Sequence, residues 1–210
     1  MKFDIRAAHK ADTLFAEEIS QLYKISAQER GMGIALRKPE YISKKMTQGN
    51  AIIATSPDGE IAGFCYVETF SSEEYVSNSG LIVKSMFRGQ GLAKKIKKKA
   101  VALARNNYPK AKLFGITTSD IVMGINSELG YKPVSFKQLT QDDEFWNGCS
   151  SCNNYEILQK NERKMCLCTA MLAASKDEKQ ALKARKKEEK KAIKKAIKDA
   201  KKKLKEKNHE

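Results

Sequence analysis

Between Tyr75 and Ser119 the sequence has neither aspartate nor glutamate, although the chain holds 25 of them. That gap excludes a dinucleotide site, which needs an acidic residue about 20 positions beyond its glycine turn to hold a ribose. No apolar run approaches the roughly 20 residues needed to span a bilayer, so no membrane contact of that kind is expected. The first residues, Met1-Lys2-Phe3-Asp4-Ile5-Arg6, lack the apolar core of a signal peptide. A cytoplasmic protein is therefore expected, with its 5 cysteines reduced. From Lys176 onward there is no glycine or proline, so nothing interrupts a helix there.

What is present is charge, unevenly spread. The net charge is +15 over 210 residues, of which Lys176–Glu210 supplies 16 basic and 7 acidic residues, or +9. The basicity is largely a tail property, and a chain of this length can bury one core and carry an appendage. Residues 1–172 read as the domain, with a cysteine-rich segment at 149–168, and 173–210 as a Lys/Ala/Glu-rich helical tail. Ile193, Ile197, Ala200 and Leu204 make one short apolar stripe in that tail, too brief for a coiled coil. A solvated helix is one reading of the tail. Weak contact with nucleic acid or another polyanion is the other.

The most informative stretch runs from Leu81 to Ala93. Leu81-Ile82-Val83 is apolar and β-branched, as in a strand, and Arg88-Gly89-Gln90-Gly91 is a turn that enters a helix. Glycine lets backbone approach a ligand where a Cβ would block it. The first N–H groups of the helix have no partner within it, and their partial positive charge favours an anion. The turn reads as a cradle for phosphate or pyrophosphate. A Walker A loop is excluded because Leu92-Ala93 stands where Lys-Ser/Thr is required. A dinucleotide turn is excluded because Lys94 replaces the third glycine.

Arg88-Gly89-Gln90-Gly91-Leu92-Ala93 matches at every position the Arg/Gln-x-x-Gly-x-Gly/Ala turn of the GNAT acyltransferases, and Leu129-Gly130-Tyr131 resembles their Leu-Gly-Phe/Tyr signature. The chain resembles that family over residues 1–172. The resemblance implies an α/β (α+β) fold: a mixed, mostly antiparallel sheet, splayed between its fourth and fifth strands and flanked by helices. It implies acetyl-CoA as co-substrate, its diphosphate on Arg88, Gly89, Gln90, Gly91, Leu92 and Ala93, and its pantetheine arm beside Ile82 and Val83. The activity implied is transfer of acetyl from acetyl-CoA to an amine. An adaptor with this fold, binding nucleic acid without turnover, is the alternative.

Such a transfer needs a base for the ammonium and an acid for the departing thiolate. Many family members place a tyrosine as that acid four residues before the glycine of the signature. Here the position is Asn126, which has no proton to give, so another residue or water must serve. Glu68 is the best-placed carboxylate for the base, with Glu73 and Glu74 behind it. Arg30 and Arg37 flank the loop between the first two helices and suit an acceptor's carboxylate. Solvated loop cations are the other reading of both.

Elsewhere the pattern predicts a strand over Phe3–Ala7, a helix from Asp12 or Thr13 to Arg30 with Leu14, Ile19, Leu22 and Ile25 on its apolar face, and a helix from Glu40 to Gln48. It predicts a hairpin of Ala51–Thr55 and Ile61–Phe70, strands over Tyr75–Val83 and Lys112–Thr118, and last strands over Val134–Leu139 and Met165–Leu172. The helix after the cradle has a buried face, Leu92, Ile96, Ala100 and Leu103, and a basic face of Lys94, Lys95, Lys97, Lys98 and Lys99. Cys149 and Cys152 in a Gly/Ser turn, with Cys166 and Cys168 on a strand, would let four thiolates surround one Zn²⁺. Four reduced, partly buried cysteines are the alternative. Cys65 and Tyr131 read as core. The cysteine segment resembles the end of short N-acetylglutamate synthase-like GNAT proteins, which implies an amino acid such as glutamate as the small-molecule acceptor. Acceptor identity and oligomeric state, a homodimer included, are left open by the pattern.

Overall fold

The alternation of Ala51–Thr55 and Ile61–Phe70 around Pro57-Asp58-Gly59 produces a hairpin. Gly59 turns at φ +83°, and Ser56 N–H donates to Glu60 O at 2.9 Å to close the loop. These strands, β2 (Ala51–Thr55) and β3 (Ile61–Phe70), are the centre of growth for the sheet. β1 (Asp4–Ala7) pairs antiparallel with β2, and β4 (Tyr75–Val83) antiparallel with β3. β5 (Lys112–Thr117) lies parallel to β4, which requires the crossover helix α3 (Leu92–Asn107) between them. β7 (Thr169–Ala173) and β6 (Lys132–Pro133) complete the order β1-β2-β3-β4-β5-β7-β6. The remaining helices are α1 (Ala16–Arg30), α2 (Pro39–Thr47), α4 (Asp120–Glu128), α5 (Asp143–Asn147), α6 (Tyr155–Lys160) and α7 (Lys176–Lys207).

The computed structural model describes residues 1–31 and 33–207, and the side chains within those ranges other than at 195 and 198–207. The chain divides into two units, Met1–Ser175 and Lys176–Glu210. Within the second, Lys176–Lys207 form the helix α7, and the tail stripe's Ala200 and Leu204 side chains fall outside the described residues. Among the described residues no helix is long and apolar enough to cross a membrane.

Strand alternation sends Ile52 and Cys65 to one face of the sheet, against Leu92, Ile96 and Ala100 of α3. Ile53, Phe64 and Tyr66 go to the other face, against Ile19 and Tyr23 of α1 and Ile42 and Met46 of α2. A third cluster gathers Phe70, Phe114, Phe136, Trp146 and Leu158. Trp146 stacks on Phe136 with centroids 5.6 Å apart and donates its indole N–H to Thr140 O at 3.0 Å. Burial of that ring therefore leaves no unpaired donor.

Several expectations are corrected. Residues Lys10–Phe15 form a 3-10 turn, and α1 begins only at Ala16. Asp12 does not cap forward: its carboxylate accepts from His9 N–H at 2.8 Å and from Arg6 at 2.7 and 2.8 Å. The later start resets the helix phase, so Ala16, Ile19, Ser20, Tyr23 and Ser26 are buried while Leu14 and Ile25 are exposed. In place of the strand expected over Val134–Leu139 there is the short β6, and its contact with β7 stops once Val134 N–H has donated to Ala170 O at 3.0 Å. Residues Phe136–Gln138 curl instead, with the Ser135 N–H donating to Gln138 Oε1 at 3.1 Å. β7 begins at Thr169 rather than Met165, because Thr169 pairs with Thr117, the last residue of β5. Cys166 and Cys168 therefore lie ahead of the strand, not on it.

Candidate active site

β4 and β5 pair only at Tyr75, Val76 and Ser77, opposite Lys112, Leu113 and Phe114. Past Ser77 they part, and the wedge opens onto a cavity of about 830 Å³. A bare strand edge is ordinarily covered or blunted; here it lines that cavity. On the β3 side the register slips. Tyr66 faces Ser79 and Phe64 faces Ile82, so Gly80 and Leu81 stand opposite Cys65 alone, as a bulge. Gly80 sits at φ +64°, and its carbonyl accepts from the Tyr23 hydroxyl at 2.5 Å. Burial holds that phenol well above its ordinary pKa, so it remains a donor. Lys84 N–H donates to Ala62 O at 3.0 Å. By alternation, the main-chain groups of Ile82 share that β3-facing edge and those of Val83 face the wedge.

At the end of β4 a 3-10 turn, Ser85–Phe87, leads to Gly91, which caps α3. Gly89 and Gly91 have φ of +78° and +71°, and a Cβ at either would meet nothing within 4 Å. Backbone conformation, not packing, demands glycine there. Among the described residues no acceptor takes the N–H of Gly89, Gln90, Gly91, Leu92 or Ala93. Arg88 turns away from this nest. It donates to Val83 O at 3.1 Å, Glu29 at 3.0 Å and Ser26 Oγ at 3.1 Å, which ties the turn to α1. The Leu92 side chain is core, so only its backbone faces the turn. Ile82, Val83, Arg88 and Ala93 line the cavity.

Arg37, Tyr41, Tyr66 and Glu68 line the cavity's far end. Arg37 Nε donates to the Tyr66 hydroxyl at 2.7 Å, and its Nη1 to Leu36 O at 2.9 Å and Gly148 O at 3.3 Å. Among the described residues its Nη2 has no protein acceptor. The Tyr41 hydroxyl donates to Glu68 Oε2 at 2.6 Å, and Lys45 pairs with Glu68 Oε1. Burial, then the neighbouring Tyr66 and Glu68, push the Tyr41 phenol far above its usual range, so it donates at any working pH. Arg30 lies exposed on the rim of the same cavity. Glu73 and Glu74 sit in the loop before β4 and do not line it.

Asn126 is buried and lines the cavity; its amide donates to Met171 Sδ at 3.4 Å, and its Oδ1 has no partner. Tyr131 and Cys65 are core, as their surroundings suggest. The basic face of α3 is corrected at one position. Lys97 is 2% exposed and lines the cavity, because it shares a helical row with Ala93 and Val101 that packs inward.

The cysteine segment closes the Arg37 end of the cavity rather than forming a separate module. Leu36 N–H donates to Ser151 Oγ at 2.9 Å and Asn153 Nδ2 to Gly31 O at 2.8 Å, so the turn holds the loop between α1 and α2. Burial first, then Cys152, pushes Cys149 up to about 11. Burial, then Cys166, Cys149 and Cys152, also raises Cys168. With Cys166 and Cys168 off the strand, no group of three or more His, Cys, Asp or Glu among the described residues is placed to hold a metal ion.

Comparison with known proteins agrees with this geometry. Residues 17–120 match the model of the acetyltransferase (GNAT) family. No curated protein matches the chain by sequence. Among solved structures, N-acetylglutamate synthase from Neisseria gonorrhoeae, complexed with coenzyme A and N-acetyl-glutamate, aligns with TM-score 0.60 at 18% identity. That alignment covers 83% of this chain and 35% of the synthase, so the chain spans about a third of that protein. Rv2747 from Mycobacterium tuberculosis, solved with CoA, aligns with TM-score 0.59 at 15% identity over 81% of this chain and 98% of its own. A phosphinothricin acetyltransferase from Sinorhizobium meliloti, solved with AcCoA, gives 0.57 at 14% identity over 83% and 89%. At these identities the likeness is one of fold.

Proposed function

Since this chain carries an acetyltransferase domain of the GNAT family, we propose that it moves an acetyl group from acetyl-CoA to the amine of a small, carboxylate-bearing acceptor such as an amino acid. One observation carries the reading. A single cavity runs from the opened edge of β4, past Arg88 and Ala93 at the two ends of the glycine turn, to the Arg37 guanidinium. The free N–H groups from Gly89 to Ala93 suit a diphosphate. The wedge-facing edge of β4 suits the amide-rich pantetheine arm, which would take the place of a paired strand. Arg37 Nη2 suits a carboxylate. Glutamate fits this description, and the Neisseria protein's N-acetyl-glutamate complex is in keeping with it.

In the reaction the acceptor's amine attacks the thioester carbonyl. Main-chain N–H groups on the wedge side of β4 stabilise the oxyanion, fixed in place by the bulge at Gly80. Glu68 receives the ammonium proton through water, since both its oxygens already accept from Tyr41 and Lys45. Arg37 fixes the acceptor by its carboxylate and excludes amines that lack one. The cysteine turn positions the loop that carries Arg37.

The test is a screen of amino acids with acetyl-CoA, read by thiol release, together with calorimetric titration of CoA. Binding of acetyl-CoA, its loss in Gly91→Trp, and turnover with a carboxylate-bearing amine are expected. A parent protein that does not bind acetyl-CoA, or a Gly91→Trp variant that binds it as well as the parent, refutes the reading.

A further inference from the structure

Asn126 leaves the thiolate without an acid, and the structure holds a group that no sequence motif marks. We propose that Lys97 is the acid that protonates the thiolate as the carbon–sulfur bond breaks, an inference that rests on the acetyl-transfer reading above. Lys97 Nζ donates to Asn78 O at 3.0 Å. Asn78 is the first β4 residue past the last pair with β5, so the ammonium stands in the crotch of the wedge. The crotch is narrow: a Cβ on Gly115 of β5 would lie 3.6 Å from the same Asn78 O. An ammonium has three N–H bonds, and one is spent on Asn78.

The surroundings of Lys97 supply polarity but no counter-charge. No carboxylate among the described residues pairs with it. The titratable groups that face it are the Cys65 thiol from β3 and the Tyr131 ring, 6.0 Å away. Burial pushes Cys65 up to about 11 and raises Tyr131 further, so both are neutral at working pH. Asn78 Nδ2 and Asn126 Oδ1 are buried without partners, and both residues line the cavity beside Lys97. Two such orphans beside an unpaired ammonium mark a place prepared for polar ligand atoms. Burial lowers the Lys97 pKa from its ordinary value. An acid is more effective the nearer its pKa lies to the working pH, and burial moves Lys97 in that direction.

The step balances. The tetrahedral adduct collapses, the C–S electron pair passes to sulfur, and sulfur takes a proton from Nζ to leave as thiol. Glu68 takes, through water, the proton that the acceptor's ammonium gives up before attack and later releases it to solvent; the adduct nitrogen gives a second proton to cavity water on collapse, and Lys97, then neutral, regains its proton from that water.

The experiment compares the full-length parent with Lys97→Met, which keeps the volume and removes the charge. Acetyl-CoA affinity is expected to stay within about three-fold, while kcat falls by roughly 10²–10⁴. The descending limb of the kcat–pH profile on the alkaline side should vanish. That is a change that mere loss of packing would not produce. A Lys97→Met variant that turns over within about three-fold of the parent, with the alkaline limb intact, overturns the proposal alone. Failure of the parent to bind acetyl-CoA overturns both this and the reading beneath it. Should Lys97→Met not fold, the parent's own profile decides. An alkaline limb below about 10.4, the ordinary lysine value, supports the role, and a level rate through that pH refutes it.

Discussion

Replacing Gly80 by alanine tests whether the β4 bulge is a built feature. Gly80 sits at φ +64°. A left-handed conformation costs an L-residue roughly 1–2 kcal/mol. The new Cβ would stand 2.4 Å from Tyr66 Cε1 and 2.5 Å from the Tyr23 hydroxyl. Neither ring can yield cheaply. Tyr66 is 1% and Tyr23 2% exposed, both in the core that α1 shares with the sheet. Overpacking of that kind costs about 1–3 kcal/mol more. The sum is about 2–5 kcal/mol, a large fraction of the roughly 5–15 kcal/mol a domain has. Urea denaturation of Gly80→Ala should give that loss, and the melting temperature should fall by roughly 4–20 °C. Gly91→Ala is the control: it keeps the backbone strain but meets nothing within 4 Å, so about 1–2 kcal/mol is expected. A Gly80→Ala protein no less stable than Gly91→Ala would refute the packing argument and, with it, a bulge held by Tyr23 and Tyr66.

Arg37→Lys keeps the charge but loses the forked donor, so the acceptor KM should rise by about 10–100-fold while acetyl-CoA affinity holds; steady-state kinetics with both substrates varied checks this. Asp12 has its pKa lowered by the Arg6 hydrogen bond and, to a smaller extent, by the His9 N–H. Its contribution is therefore present above the unfolded carboxylate value of about 3.9 and is lost as pH falls through the lower folded one. Arg6→Gln should flatten the acid limb of stability in that window, as followed by thermal melts from neutral to acid pH. Deleting residues 176–210 should abolish any RNA mobility shift and leave acetyl-CoA binding intact, because the charge of +9 lies in that stretch.

The legible parts of the fold were those set by neighbours in sequence. The hairpin of β2 and β3 and the glycine turn before α3 depend on residues within a few positions of one another. The start of α1 was not legible, because Asp12 spends its carboxylate on Arg6, which only the β1 strand brings within reach. The end of β5 decides where β7 begins, so no local pattern could place Cys166 and Cys168 off the strand. In the sequence Lys97 is hidden within the basic face of Lys94, Lys95, Lys98 and Lys99. Its one available signal was Val101, a residue of the buried face four positions on.

Shifted element boundaries and buried, incomplete polar groups are two different kinds of departure from local rules. Shifted element boundaries occur at the 3-10 turn before α1 and around β6, where nearby capping groups settle the chain. Several features that cost energy line one cavity, namely an unpaired strand edge, a buried lysine and orphaned amides at Asn78 and Asn126; others, the left-handed Ser71, Ser72, Glu73, Glu162 and Arg163 and the orphaned atoms of Arg105, Tyr131 and Asn154, lie away from its lining. Each works against stability, as an unmade buried hydrogen bond or an uncompensated buried charge does. A fold keeps such features together only where something outside the chain completes them. The wedge edge, the glycine turn and the Lys97 ammonium each keep N–H groups that no protein acceptor among the described residues takes up. An acyl thioester on a pantetheine arm that ends in a diphosphate would meet all three needs at once. A ligand with only one of those parts would leave the others open, which is why CoA without its acetyl group, or a bare phosphate, should bind with only part of the affinity.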